Sequence, residues 1–148
     1  MKSERGILKW PLLFTAVVVI VRVVLERAGV SDTVNNLLSV AVLHTLLVPI
    51  YIAVRLGKSG AERPYRSLIK LIAIYAVVAR IMILPTYWAA RIFEWTQPRF
   101  NGTWGSDVNA FVGFVGVPLG TAAVWIVTSI VVGGLIGSIV LAVTRRKN

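Results

Sequence analysis

Two arginines and a histidine stand in the middle of long apolar runs: Arg22 in residues 12–27, His44 in 33–56 and Arg80 in 67–93. A charge at the centre of a bilayer costs about 2.5–3.5 kcal/mol on insertion scales, so these side chains are expected to turn away from lipid. At 1.5 Å per helical residue, all three lie roughly 16–20 Å from the polar ends of their runs. They form one level of potential cations on three different segments. Tyr87 and Arg91 follow Arg80 at +7 and +11, on the same helical face. Glu26 lies one turn beyond Arg22 on its face. Glu94 sits at the edge of its run and Asp107 beyond it, which leaves the interior short of acid.

Two kinds of chemistry fit this pattern. In the first, the arginines pair with Glu26 and with carbonyls, His44 stays neutral, and the cluster is interhelical glue. In the second, an anionic group enters. Lipid phosphates, carboxylates of small ligands and the propionates of a tetrapyrrole all suit an arginine pair. The ligand-binding candidates are then Arg22, His44, Arg80 and Tyr87. His44 is the single histidine. It could ligate a haem or chlorin from within a helix bundle, although bis-histidine ligation would need a second chain. A proton relay through His44 and Glu26 is a further use of the same groups. A lone intramembrane histidine is more commonly hydrogen-bonded to Asn, Tyr or a carbonyl. No cofactor is therefore favoured, and no metal site is expected.

Catalytic patterns are missing. The chain has no H-E-x-x-H, G-x-S-x-G, Walker or G-x-G-x-x-G sequence. No span carries two neighbouring carboxylates for acid–base or metal chemistry. Cysteine is absent, which excludes disulfides, thiolate ligands and cysteine nucleophiles. The expectation is a protein that is not an enzyme.

The elements that position these residues follow from hydropathy. The chain is 57% hydrophobic and 15% charged, with a mean hydropathy of +0.79; soluble domains run nearer 45–50% and about 25%. Its 148 residues suit one membrane domain, all-α, with spans near 12–27, 33–56, 67–93 and 118–144. Gly29 is a C-terminal stop for the first span, and Ser31-Asp32 a cap for the second. Pro49 and Pro85 predict kinks, freeing the carbonyls of Thr45 and Ile81. The uncharged run from Val108 to Thr144 spans 37 residues, too many for an upright helix. The sequence therefore predicts a break at Gly116–Pro118, with Phe111 to Val117 as an interfacial or re-entrant turn; one strongly tilted helix is the alternative. The segment 94–117, rich in Trp and Phe, predicts an outer loop lying in the headgroup zone. Ser129, Gly133 and Gly137 recur every four residues, a small-residue ridge for helix packing within the chain or between copies. Asn101-Gly102-Thr103 fits a glycosylation sequon, a three-residue match that arises easily by chance.

Charge sets the orientation. Eleven of the 16 Lys and Arg lie in three places: the head (Lys2, Arg5, Lys9), residues 55–70 (Arg55, Lys58, Arg63, Arg66, Lys70) and the tail (Arg145, Arg146, Lys147). The positive-inside rule puts both termini and the 57–66 loop in the cytoplasm, as four crossings require. The net charge of +10 is then read as contact with anionic headgroups rather than nucleic acid. The expected protein is a multi-pass inner or plasma membrane protein. Its leading function is a non-catalytic subunit or scaffold that docks on other membrane subunits or on itself. The alternatives are a lipid- or anion-binding carrier using the midplane Arg/His cluster, and a tetrapyrrole-binding subunit using His44.

Overall fold

A computed structural model describes residues 6–31, 33, 39–100, 102–105 and 107–146. The expectations about Lys2, Arg5, Asp32, Asn101 and Lys147 lie outside these residues. The chain is 82% helical, with no strand among the described residues. Four helices run Lys9–Arg27 (α1), Val40–Gly57 (α2), Pro64–Ile92 (α3) and Val112–Arg146 (α4). α2, α3 and α4 are each long and apolar enough to cross a membrane. α1, with 19 residues, is about as long as α2, but any 18-residue stretch of it holds three charged residues. α3 touches all three other helices, and α2 packs most extensively on α4.

The bundle buries a few polar groups within an apolar core and is broadly apolar outside as well. Thr15, Glu26, His44, Arg80 and Ser129 are buried, while Leu13, Phe14, Val17, Ile20 and Val24 of α1 are exposed. On α4 the exposed stripe is Val124, Val127, Val131, Leu135, Ile139 and Val143. Ile7 and Leu8 share a core with Leu56, Ala61 and Leu68. Gly57 lies against Thr144. One end of the bundle therefore gathers the chain's beginning, the α2–α3 turn and the end of α4.

Helix ends follow the sequence where glycine is present. α1 stops in a Schellman turn: Gly29 has φ +76°, Val30 N–H donates to Leu25 O at 3.1 Å, and Gly29 N–H to Glu26 O at 3.2 Å. α3 ends the same way on a residue with a side chain. Glu94 has φ +51°, and Trp95 N–H donates to Ala90 O at 2.9 Å.

Two expectations are corrected. The second helix, placed from Thr33, starts at Val40 in the described residues, because Ser39 is extended (φ −78°, ψ 139°) and its Oγ accepts the Val42 N–H. The break at Gly116–Pro118 is absent: α4 is continuous from Val112, so Phe111 to Val117 is helical and the single long helix holds. The reason lies in a repeated local device. Val48-Pro49 and Val117-Pro118 each follow a π-helical turn, Leu43–Leu47 and Val112–Gly116. There Val48 N–H reaches Leu43 O and Val117 N–H reaches Val112 O, five residues back. Widening the turn makes room for a ring that would otherwise press on the carbonyl four residues earlier. The carbonyl that Pro118 leaves without a helical donor, Phe114 O, accepts the Trp88 indole N–H at 3.0 Å. Pro85 needs no such turn, and α3 runs through it as α-helix.

The segment before α4, residues 94–100, 102–105 and 107–110, forms a folded plug against the bundle. Phe100 and Thr103 are fully buried. Phe100 meets Tyr87 and Trp95 edge-on at 5.3 and 5.6 Å. Trp104 donates to Trp95 O at 2.7 Å, and Arg91 donates to Thr103 O and to Val108 O. Arg91 thus staples the plug and does not share the interior role of Arg80. Gly113 is required here, because a Cβ would collide with Thr103 O and the Arg91 guanidinium.

Candidate functional site

Tertiary packing splits the predicted cation level into two sites. Arg22 and Arg80 line one cavity of about 380 Å³, together with Tyr87, Ile83, Ser39, Val40, Ala41, Trp125 and Arg99. His44 is not among the lining residues. It belongs to a separate polar seam in the core.

The cavity is built from five segments. α1 contributes Arg22, whose Nε donates to Glu26 Oε1 at 2.9 Å one turn away. The plug contributes Arg99, whose Nη2 lies 2.8 Å from Glu26 Oε2, an ion pair without hydrogen-bond geometry. The Glu26 side chain is only 6% exposed and bridges two guanidiniums. Gln97 ties the plug to the same helix end by donating to Glu26 O at 3.4 Å. Arg99 stacks on Phe100, 4.3 Å from the ring centroid. Burial lowers the Arg99 guanidinium to about 10 against the raising pull of Glu26, so it stays charged at neutral pH.

α3 contributes Arg80 and Tyr87, both inward-facing as the spacing predicts. Arg80 is 7% exposed and makes no ion pair among the described residues; its Nε is buried without a partner. Its neighbour is an aromatic face, the Trp125 ring of α4 at 5.3 Å, a cation–π contact worth up to about 2 kcal/mol when desolvated. That is less than the cost of hiding a guanidinium from water. Among the described residues the cavity wall therefore holds three arginines, and the Glu26 carboxylate pairs with two of them, a net +2 (3 − 1). Its volume falls at the lower end of small-molecule pockets, about 300–1,000 Å³.

The seam around His44 carries two side-chain hydrogen bonds between helices, His44–Ser129 and Thr15–Tyr75. Ser129 Oγ donates to Trp125 O at 2.6 Å, so it accepts from His44 Nδ1–H at 3.1 Å. Thr15 Oγ1 donates to Pro11 O at 2.8 Å, so the Tyr75 hydroxyl donates to Thr15, at 2.6 Å. The Tyr75 and His44 rings lie 5.0 Å apart. His44 Nε2 is buried with no partner among the described residues. Ser129 sits in another π-helical turn, Ser129–Gly133, which faces the π turn carrying His44.

The small-residue ridge is spent inside the chain. A Cβ at Gly133 would lie 2.7 Å from Pro49 Cγ, and one at Gly137 would lie 3.2 Å from Leu68 and 3.3 Å from Pro49 O. Ser129 is fully buried and serves as a hydrogen-bonding residue as well as a packing one. Sequence reasoning missed Arg99, Trp125, Thr15 and Tyr75. Arg99 had one signal, a charge among aromatics in the outer segment; nothing in the sequence joined it to Glu26. No known family model matches the chain, and no curated protein or solved structure does so either.

Proposed function

We propose that the chain is a four-span membrane protein, both ends cytoplasmic, that binds an anionic group inside its bundle. The single observation behind this reading is Arg80: a guanidinium held away from solvent, facing a cavity, beside two further arginines with one carboxylate among them. A buried charge needs a counter-charge, and the described interior supplies Glu26 to Arg22 and Arg99 only. Membrane embedding is supported by the broad apolar exterior of the bundle. α1 turns Arg22 and Glu26 inward and its apolar side chains outward, which suits a lipid-facing fourth span despite its charges. The meeting of the chain's start, the 57–64 turn and the α4 end at one pole supports an inside-facing basic pole.

The subunit or scaffold reading rests on outward apolar faces alone, and lipid covers such faces equally well. The tetrapyrrole reading would use His44 Nε2, but His44 is fully buried and does not line the cavity that Arg22 and Arg80 share. The test of the anion reading is ligand content. Wild-type protein purified in mild detergent should carry or take up a stoichiometric anion by native mass spectrometry. Arg80→Gln should lose it by tenfold or more in affinity, roughly the worth of a charge-assisted contact, and Arg80→Lys should keep part of it. Equal binding by Arg80→Gln and wild type would end this reading.

A further inference from the structure

We infer that the bound group is a phosphate monoester dianion, seated where the N-terminus of α2 meets Arg22 and Arg80; this rests on the anion-binding reading above. Ser39, Val40 and Ala41, which open α2, line the cavity. Ser39 O accepts the N–H groups of Val42 and Leu43 at 3.1 and 3.5 Å, and Ser39 Oγ accepts Val42 N–H at 3.3 Å. The first N–H groups of a helix have no partner within it. Those of Val40 and Ala41 have none among the described residues, and they sit on the cavity wall. An 18-residue helix brings the positive end of its dipole, about half a charge, to the same place. Independently, Arg80 lines this cavity, is 93% buried, and has an unpartnered Nε.

Charge and shape select the ligand class. The wall carries +2 after Glu26 is counted, plus the helix end. A carboxylate or a phosphodiester brings one negative charge and leaves about one positive charge buried and unmatched. A phosphate monoester brings about −1.5 to −2 at neutral pH and three acceptor oxygens. Donors on α1, α2 and α3 converge from three directions, which three terminal oxygens can meet and a planar carboxylate cannot. The dianion is either the monoester headgroup of a lipid such as phosphatidate or its unesterified counterpart of the same charge, free inorganic phosphate.

The experiment titrates the full chain in detergent with phosphatidate, with phosphatidylglycerol of the same acyl chains, and with inorganic phosphate, read by native mass spectrometry. Phosphatidate or inorganic phosphate should bind at least about tenfold tighter than phosphatidylglycerol. Preference for phosphatidate over inorganic phosphate identifies a lipid source, and the reverse a free anion; both support the inference. Val40→Pro removes one N–H at a position where proline suits a helix, after a residue already extended at ψ 139°. It should lower monoester affinity about three- to tenfold and pull the phosphatidate-to-phosphatidylglycerol ratio toward one, a ratio that general loss of folding does not move. If neither phosphatidate nor inorganic phosphate binds tighter than phosphatidylglycerol, or if the preference for the tighter of the two is unchanged in Val40→Pro, the monoester seat is overturned while anion binding stands. Arg80→Gln without effect on any of the three ligands overturns both.

Discussion

Replacing Gly133 by alanine adds one methyl group where α4 presses on α2. The new Cβ would stand 2.7 Å from Pro49 Cγ and 3.2 Å from His44 O. Neither neighbour yields easily: Pro49 is a fully buried ring and His44 O belongs to the α2 backbone. Overpacking of this kind costs about 1–3 kcal/mol. Alanine returns about 0.8–1.0 kcal/mol of helix propensity over glycine. The net expectation is a loss of up to about 2 kcal/mol. Gly120 on the same helix is the internal control, since a Cβ there meets nothing within 4 Å. Gly120→Ala should therefore be neutral or up to about 1 kcal/mol stabilising. Both variants can be followed by denaturant titration of the purified protein in mild detergent, with tryptophan emission as the probe. If Gly133→Ala unfolds at or above the wild-type midpoint, α2 and α4 do not approach as described, and the account of the Pro49–Gly133 contact is wrong.

Glu26→Gln removes the carboxylate shared by Arg22 and Arg99. It should destabilise by about 3–5 kcal/mol, the cost of breaking a buried pair, and added inorganic phosphate or phosphatidate should raise its melting midpoint more than the wild type's. A midpoint equal to wild type would remove Glu26 from the centre of the site. In the core seam, Thr15→Val leaves the Tyr75 hydroxyl buried without an acceptor, at about 1–3 kcal/mol, whereas Tyr75→Phe leaves Thr15 still donating to Pro11 O, at about 0.5–1.5 kcal/mol. Measured stabilities in the opposite order would show the proton directions to be reversed. Glu94→Gly should gain about 1 kcal/mol by relieving φ +51°, read as a later unfolding midpoint; a loss would mean that the glutamate side chain outweighs its strain. The chain lacks cysteine, so single substitutions report topology cleanly. Thr96→Cys should react with an impermeant thiol reagent in intact cells, and Ser59→Cys only after the membrane is opened. The reverse pattern would invert the orientation.

Much of the architecture was legible in the chain itself. Hydropathy counted the helices, because a 3.6-residue period over about 20 apolar residues is a local property. The +7 relation placed Arg80 and Tyr87 on one inward face, and the Arg22–Glu26 pair needed only one helical turn. Other features depended on what lies across the bundle. Pro118 reads as a stop in one dimension, yet α4 continues because a wider turn accommodates the ring and the Trp88 indole takes the released carbonyl. His44 and the arginines share a depth, but depth does not fix azimuth. Rotation of α2 sends His44 toward Ser129 and Tyr75, while its N-terminus faces the arginines. Arg99 enters the site from a plug whose fold is set by Phe100 burying itself under Tyr87. Periodicity along one helix determines which side chains point inward; only the packing of several helices decides which of them meet.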